Sequence, residues 1–229
     1  MQMTSHKLMV LITLLLPISL QAVEFHRPGY ANGTNNLEIN QVTLESSLAF
    51  QDDTVQPEFS LRYGFHRDYE LRAQSGILRN QKNSSGIDDL KLGILVPWKE
   101  SFSGHLQLTL PTGSSDAGAG TTGLMTELNF VLPIAMPFEF SGNFQLFLEK
   151  EYAKEWGPSV AGSTAANYQF SNSISSYGEI IAQFADSLAL SAGIGGIFQY
   201  NERSQLDLSF EFGLNNSDRA FVIGGSYLF

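Results

Sequence analysis

AFVIGGSYLF, residues 220–229, ends the chain on a phenylalanine and alternates up to its final position. Phe221, Ile223, Gly225, Tyr227 and Phe229 fall on one face of an extended chain, and Val222, Gly224, Ser226 and Leu228 on the other. Chain ends usually fray, so an apolar strand with a terminal aromatic implies that something ties this end down. Two architectures offer that: the last strand of a soluble sandwich, or the closing strand of a barrel. The choice depends on the sheet that the upstream residues supply.

Upstream, period two recurs and helical spacing does not fit. Leu206, Leu208, Phe210, Phe212 and Leu214 alternate with Asp207, Ser209, Glu211 and Gly213. Val55, Pro57, Phe59, Leu61, Tyr63 and Phe65 alternate with Gln56, Glu58, Ser60, Arg62 and Gly64, and Tyr69, Leu71, Ala73 and Ile77 with Glu70, Arg72, Gln74 and Gly76. The same pattern predicts strands over 40–50, 90–98, 102–110, 124–132, 138–148 and 188–200, and with poorer alternation over 165–172 and 177–184. With the last strand the total is twelve. Polar or Gly/Ser-rich loops are expected at 78–85, 111–121 and 149–163, and short turns at 66–68, 99–101, 133–137, 173–176 and 201–204.

At the other end, His6 and Lys7 precede an apolar run over 8–20, too short to span a bilayer as a helix, with Ala22 at a cleavage point. Residues 1–22 therefore read as a cleaved secretory signal peptide, residues 23–36 as an irregular lead-in, and residues 37–229 as the folded body. Loss of Lys7 with the signal takes the net charge from −10 to −11. Such an acidic chain is a poor partner for nucleic acid. It has no cysteine, so neither a disulfide framework nor a lipid-modified N-terminal cysteine is available. No later apolar run is long enough for a transmembrane helix, which leaves a β-barrel as the only spanning structure.

Loop lengths favour the barrel. Counted from a periplasmic N-terminus, the short turns fall on even connections and the three long loops on odd ones, as in outer-membrane barrels, whereas a soluble sandwich has no reason to sort loops by parity. Phe65, Tyr69, Trp98, Phe102, Phe138, Tyr177 and Tyr200 sit at strand ends on the expected periplasmic side, where an aromatic girdle would meet lipid headgroups. The fold class expected is all-β: an antiparallel transmembrane barrel of about twelve strands.

Four stretches, residues 86–94 (GIDDLKLGI), 108–113 (LTLPTG), 177–184 and 206–229, resemble the outer-membrane transporter family linked to the meta-pathway of phenol degradation. The resemblance covers most of the mature chain, but its motifs are wall patterns. It implies an outer-membrane location, lipid and the barrel-insertion machinery as partners, Tyr227 and Phe229 as the assembly signal, and passage of small solutes, hydrophobic or aromatic ones among them. It leaves the solute and the oligomeric state open.

The expected lumen-lining set is Glu58, Arg62, Glu70, Arg72, Asp89, Lys91, His105, Gln107, Glu127, Asn129, Asn143, Gln145, Ser191, Gly193, Asp207 and Glu211. Charges on three neighbouring strands (Glu58 with Arg62, Glu70 with Arg72, Asp89 with Lys91) read either as a polar ladder along a pore or as cross-strand pairs filling the interior. The small set Ala189, Ser191, Gly193 and Gly195 reads as room for solute or an inserted segment, or as close strand packing. An outer-membrane hydrolase would need a nucleophilic serine beside a histidine; His105 is the only mid-strand candidate, and Ser103 on its face completes no motif. Three scattered histidines do not suggest a metal site, and no cofactor is expected. Channel, structural barrel and lipid hydrolase stay open at this point.

Overall fold

The computed structural model describes residue 34 and residues 37–51, 54–79, 85–99, 101–114, 120–135, 137–150, 156–216 and 218–229. The expected signal peptide and nearly all of the lead-in lie outside these residues. Among the described residues thirteen strands follow one another: β1 (Val42–Gln51), β2 (Thr54–His66), β3 (Tyr69–Arg79), β4 (Ser85–Ile87), β5 (Leu90–Lys99), β6 (Phe102–Leu110), β7 (Thr122–Ala135), β8 (Phe138–Lys150), β9 (Gly157–Ser171), β10 (Ile174–Phe184), β11 (Leu188–Asn201), β12 (Ser204–Gly213) and β13 (Arg219–Leu228). All pair antiparallel with sequence neighbours, and β1 pairs with both β2 and β13, while β2 also pairs with β3. The short β4 pairs only with β3, so the other twelve strands form a closed ring. Closure leaves the ring itself without an edge, which a sheet crossing lipid requires.

The last strand closes this ring against the first, from Thr43↔Leu228 to Gln51↔Ala220. Its tail is tied down further: the Phe229 N–H donates to the Val42 carbonyl at 2.8 Å and the Leu228 N–H to the Arg203 carbonyl at 2.9 Å.

Burial follows the alternation and runs opposite to that of a soluble protein. Phe59, Leu61, Leu71, Leu106, Leu108, Leu146, Ile194, Leu208 and Ile223 are exposed on the outer face, while Thr43, Arg62, Glu70, Ser103, Asn129 and Ser141 are fully buried inside. Only lipid makes that arrangement favourable, because water would leave the outer residues as one large exposed patch. Leu61 is 46% exposed and its chain neighbour Arg62 1%. A lysine facing lipid at mid-wall costs about 2 to 4 kcal/mol. Leu61→Lys is therefore expected to lower unfolding stability in lipid by that amount; a loss under about 0.5 kcal/mol would mean that residue 61 does not meet the membrane core.

Every even connection (67–68, 100–101, 136–137, 172–173 and 202–203) is two residues long, and the longer ones all fall on odd positions. Several expected boundaries move. The loop expected over 149–163 shrinks to 151–156, because β8 continues to Lys150 and β9 begins at Gly157. Residues 157–166 (GPSVAGSTAA) are small on both faces, so their alternation carries little hydropathy contrast, yet they pair fully with β8. The loop over 78–85 shortens likewise, since β3 reaches Arg79 and folds onto β4 through Ile77↔Ile87.

β10 starts at Ile174, three residues before the expected start, which corrects Tyr177. It does not belong to the girdle but is buried inside the ring at 5% exposure. Its partner in register is Gly195, where a Cβ would come within 2.5 Å of the phenol ring. The glycine is needed there because the tyrosine fills its side-chain space.

Candidate functional site

Arg62 on β2 and Arg72 on β3 stand directly opposite each other, a like-charge pair that is unfavourable without acids between. Glu70 and Glu45 supply them. The Arg62 guanidinium donates through Nε to Glu70 Oε1 at 2.7 Å and through Nη2 to Oε2 at 2.8 Å, in the bidentate arrangement, and through Nη1 to Glu45 Oε1 at 3.0 Å. Arg72 Nε adds a bond to Glu70 Oε1 at 2.8 Å. The Leu37 N–H donates to Glu70 Oε2 at 2.9 Å, so the chain just before β1 enters the interior at the two-residue-turn end, where Leu37 packs against Leu228. Glu45 was not among the expected site residues, although its inward parity on β1 was readable.

Glu58 does not join this cluster; it lies over Gly76 at the opposite end of β2 and is exposed. Asp89 and Lys91 do not pair with each other either. Lys91 Nζ meets Asp88 Oδ2 at 3.3 Å, whereas Asp89, 2% exposed, accepts three backbone N–H groups: Gly113 on Oδ1 at 2.9 Å, and Gly120 and Thr121 on Oδ2 at 2.8 and 2.6 Å. One carboxylate thus holds both stems of the 111–121 connection. Leu90 N–H to Thr112 Oγ1 and Ser114 N–H to the Ile87 carbonyl fasten the first stem further.

A mesh of amide, hydroxyl and imidazole side chains around two carboxylates covers the middle of β6 to β9. His105 lies over Gly93 with Nδ1 3.5 Å from Glu127 Oε2, which also accepts from Gln145 Nε2 at 3.2 Å. Asn129 Nδ2 donates to Ser103 Oγ, Asn143 Oδ1 accepts from the Ser163 N–H and hydroxyl, and Asn167 Nδ2 donates to Ser141 Oγ and Glu139 Oε1. Gln107 is half-buried on the same face as His105. On the far wall Ser191 Oγ donates to Glu211 Oε1 at 2.6 Å, and Asp207 is buried with Oδ1 accepting no hydrogen bond. The small residues of β11 do not leave an empty stripe: Glu179 lies over Gly193 and Tyr177 over Gly195.

The His105 ring meets Glu127 and makes no hydrogen bond to a hydroxyl, while the Ser103 hydroxyl accepts from Asn129. Among the described residues there is no group of three or more His, Cys, Asp or Glu arranged to hold a metal ion.

On the outer face Phe65, Tyr69, Trp98, Phe102, Phe138 and Tyr200 are exposed near the two-residue turns, and Phe65 stacks on Tyr69 at 5.9 Å. Tyr168 and Phe170, which the sequence reading left out, join them: Tyr168 meets Phe138 at 5.0 Å and Phe170 at 4.7 Å, both edge to face. Tyr227 and Phe229 pack edge to face at 4.9 Å at the same end.

Residues 25–229 match the model of the family described as "Putative MetA-pathway of phenol degradation". The chain belongs to this family. No curated protein matches it in sequence. Among solved structures it is similar to the COG4313 outer membrane channel from Pseudomonas putida F1, with TM-score 0.65 and 12% identity over 90% of this chain and 100% of the other. It is also similar to the KdgM porin solved with disordered oligogalacturonate, with TM-score 0.59 and 12% identity over 81% and 98% of the two chains. The NanC porin gives TM-score 0.58 and 8% identity over 80% and 98%. At these identities the likeness establishes the architecture, that of a bacterial outer-membrane β-barrel.

Proposed function

We propose that this member of the family is a narrow outer-membrane channel through which small solutes pass passively, and that it is not an enzyme. The observation that carries the reading is the closed twelve-stranded ring with polar and charged side chains on its inner face and apolar ones outside. A barrel of this size lies between filled eight-stranded barrels and open sixteen-stranded porins, so conduction depends on what stands inside. KdgM was solved with oligogalacturonate, a polyanion. That ligand does not transfer readily, since the inward bases Arg62, Arg72 and Lys91 each already meet a carboxylate. Small hydrophobic or aromatic solutes remain the class that the family description suggests. The lumen-lining role of the inward residues and the pairing of the solute with them belong to this proposal.

Burial of the interior at the two-residue-turn end favours a second reading, a structural barrel. Planar-bilayer recording of the full chain separates the two: discrete conductance steps support the channel, and none above the protein-free membrane supports the structural barrel. Lipid hydrolysis in detergent would instead favour a hydrolase. The lead-in enters as a proposed plug, supported only by its neighbour: Leu37, the residue that follows it, donates its N–H to Glu70 inside the ring. Removing residues 24–35 is expected to raise single-channel conductance at unchanged membrane yield; identical conductance would leave the lead-in without a gating role.

Tyr227 and Phe229 are proposed as the signal read by the insertion machinery. Removing Phe229 also removes its hydrogen bond to the Val42 carbonyl. Folded protein in the outer membrane is expected to fall severalfold, measured by heat-modifiable mobility, and an unchanged yield would refute the assignment.

A further inference from the structure

Glycine inside a strand weakens it, so an outward glycine in a lipid-facing wall marks space that something else uses. At Gly142 the wall itself uses it, since a Cβ there would stand 2.6 Å from Phe130 Cζ. Gly104 on β6 differs. Only Trp98 comes near, with Cζ2 3.4 Å from the place of a Cβ, which is ordinary contact. No neighbour in the barrel requires this glycine.

The space above Gly104 belongs to a groove of about 460 Å³ on the outer face. Val96, Gly104, Leu128 and Phe144 pair in one row across β5, β6, β7 and β8, so the glycine is a gap among larger apolar side chains. Thr126, exposed beside Leu106, lies one row further from the turns. The side chains of His105 and Glu127, which also border the groove, belong to the inner face, so its open side is apolar apart from the Thr126 hydroxyl. From Ile94 to Trp98 the groove extends over four residues. At about 3.3 Å each that is roughly 13 Å along the wall, half of an apolar band about 25 Å tall. Its depth is that of one lipid leaflet.

The turn end of the groove is polar. An irregularity in pairing between Pro97 and Lys99 sets Lys99 opposite Phe102, an outer-face residue, so Lys99 stands outside as well. Lys99 is exposed and forms no ion pair among the described residues, and Trp98 beside it is 66% exposed. An indole N–H and an ammonium at the end of an apolar groove match the ester and phosphate level of a lipid.

We propose that this groove holds one acyl chain of a phospholipid from the periplasmic leaflet, with Trp98 at the ester level and Lys99 on the phosphate, and that an anionic headgroup is preferred. The short turns of an outer-membrane barrel face the periplasm, where the leaflet is phospholipid, so lipopolysaccharide is not the occupant. The site lies on the outer wall and does not depend on whether the lumen conducts.

Fluorescence quenching in vesicles tests this. The chain has two tryptophans, so in a Trp156→Phe background Trp98 is the sole reporter. The probes are phosphatidylglycerol and phosphatidylcholine with brominated acyl chains, each titrated into unbrominated phosphatidylcholine. Quenching by the anionic lipid is expected to saturate at a fraction severalfold below that needed with the zwitterionic one. Lys99→Gln should bring the two lipids level, and Gly104→Leu, which fills the groove, should abolish saturation with both. No backbone atom lies within 4 Å of a Cβ at Gly104, so this variant should fold, with wild-type heat-modifiable mobility. Should it not insert, Thr126→Leu narrows the groove from β7 and should weaken saturation in the same way. Quenching that rises in proportion to the brominated fraction and equally for both lipids, or saturation unchanged in the folded groove variants, overturns the proposal. A cross-linkable dimer that Gly104→Leu dissociates would give the groove to a second copy of the chain and overturn it too.

Discussion

Arg62→Gln is expected to lower the unfolding free energy by about 3 to 5 kcal/mol, the range found when one partner of a buried ion pair is removed. Judged by its sequence neighbours alone, Arg62 is a lumen residue whose substitution would mainly tune selectivity. The structure revises that expectation, because Arg62 and Glu70 are both at 1% exposure or less and three guanidinium bonds converge on two carboxylates. Glutamine can replace one of those bonds. Glu45 would then lose its cation, and Glu70 would keep only Arg72 and the Leu37 N–H. The loss should match or exceed that of Leu61→Lys, reversing the order expected from alternation. Unfolding titrations in detergent or lipid measure it. The double variant Arg62→Gln, Glu70→Gln should lose less than the sum of the singles, because the second change removes the carboxylate stranded by the first. A single-variant loss below about 1 kcal/mol, or strict additivity, would show that the cluster does not act as one unit.

The contrast between residues 61 and 62 also marks what was legible beforehand. Strand existence and sidedness were readable wherever large apolar residues alternate with polar ones, as in β2, β6 and β12, since a one-residue shift would invert every side chain. They were least readable in β9, where Gly162, Ala165 and Ala166 give neither face a hydropathy signal, and in β10, where the misplaced start put Tyr177 on the wrong side. The interior charges were identifiable one by one, but their partners were not. Glu45 lies 17 residues from Arg62 and meets it only because the register of β1 on β2 brings them together. Asp89 was read beside Lys91 because the two share a face. Its actual partners are backbone N–H groups, which every residue except proline carries and which therefore leave no mark in composition.

Asp89→Ala is expected to release the 111–121 connection. Three N–H groups on one buried carboxylate are charge-assisted hydrogen bonds, each contributing roughly 1.5 to 3 kcal/mol. The three share one acceptor and break together, so on the order of 3 to 5 kcal/mol of local stability should be lost. Gly120, one of the donors, has φ of 119°, a conformation that other residues rarely adopt, so the second stem is shaped to reach that carboxylate. The wall should survive, because Leu90↔Leu110 and Leu92↔Leu108 pair through the backbone without Asp89. Heat-modifiable mobility should therefore stay close to wild type, while proteolytic cleavage within the connection accelerates by tenfold or more. Asp89→Asn, which keeps one acceptor oxygen, should fall between wild type and alanine. If cleavage of the alanine variant stays at the wild-type rate while the barrel remains folded, the remaining stem bonds, Leu90 N–H to Thr112 Oγ1 and Ser114 N–H to the Ile87 carbonyl, suffice to hold the connection and Asp89 is not its anchor.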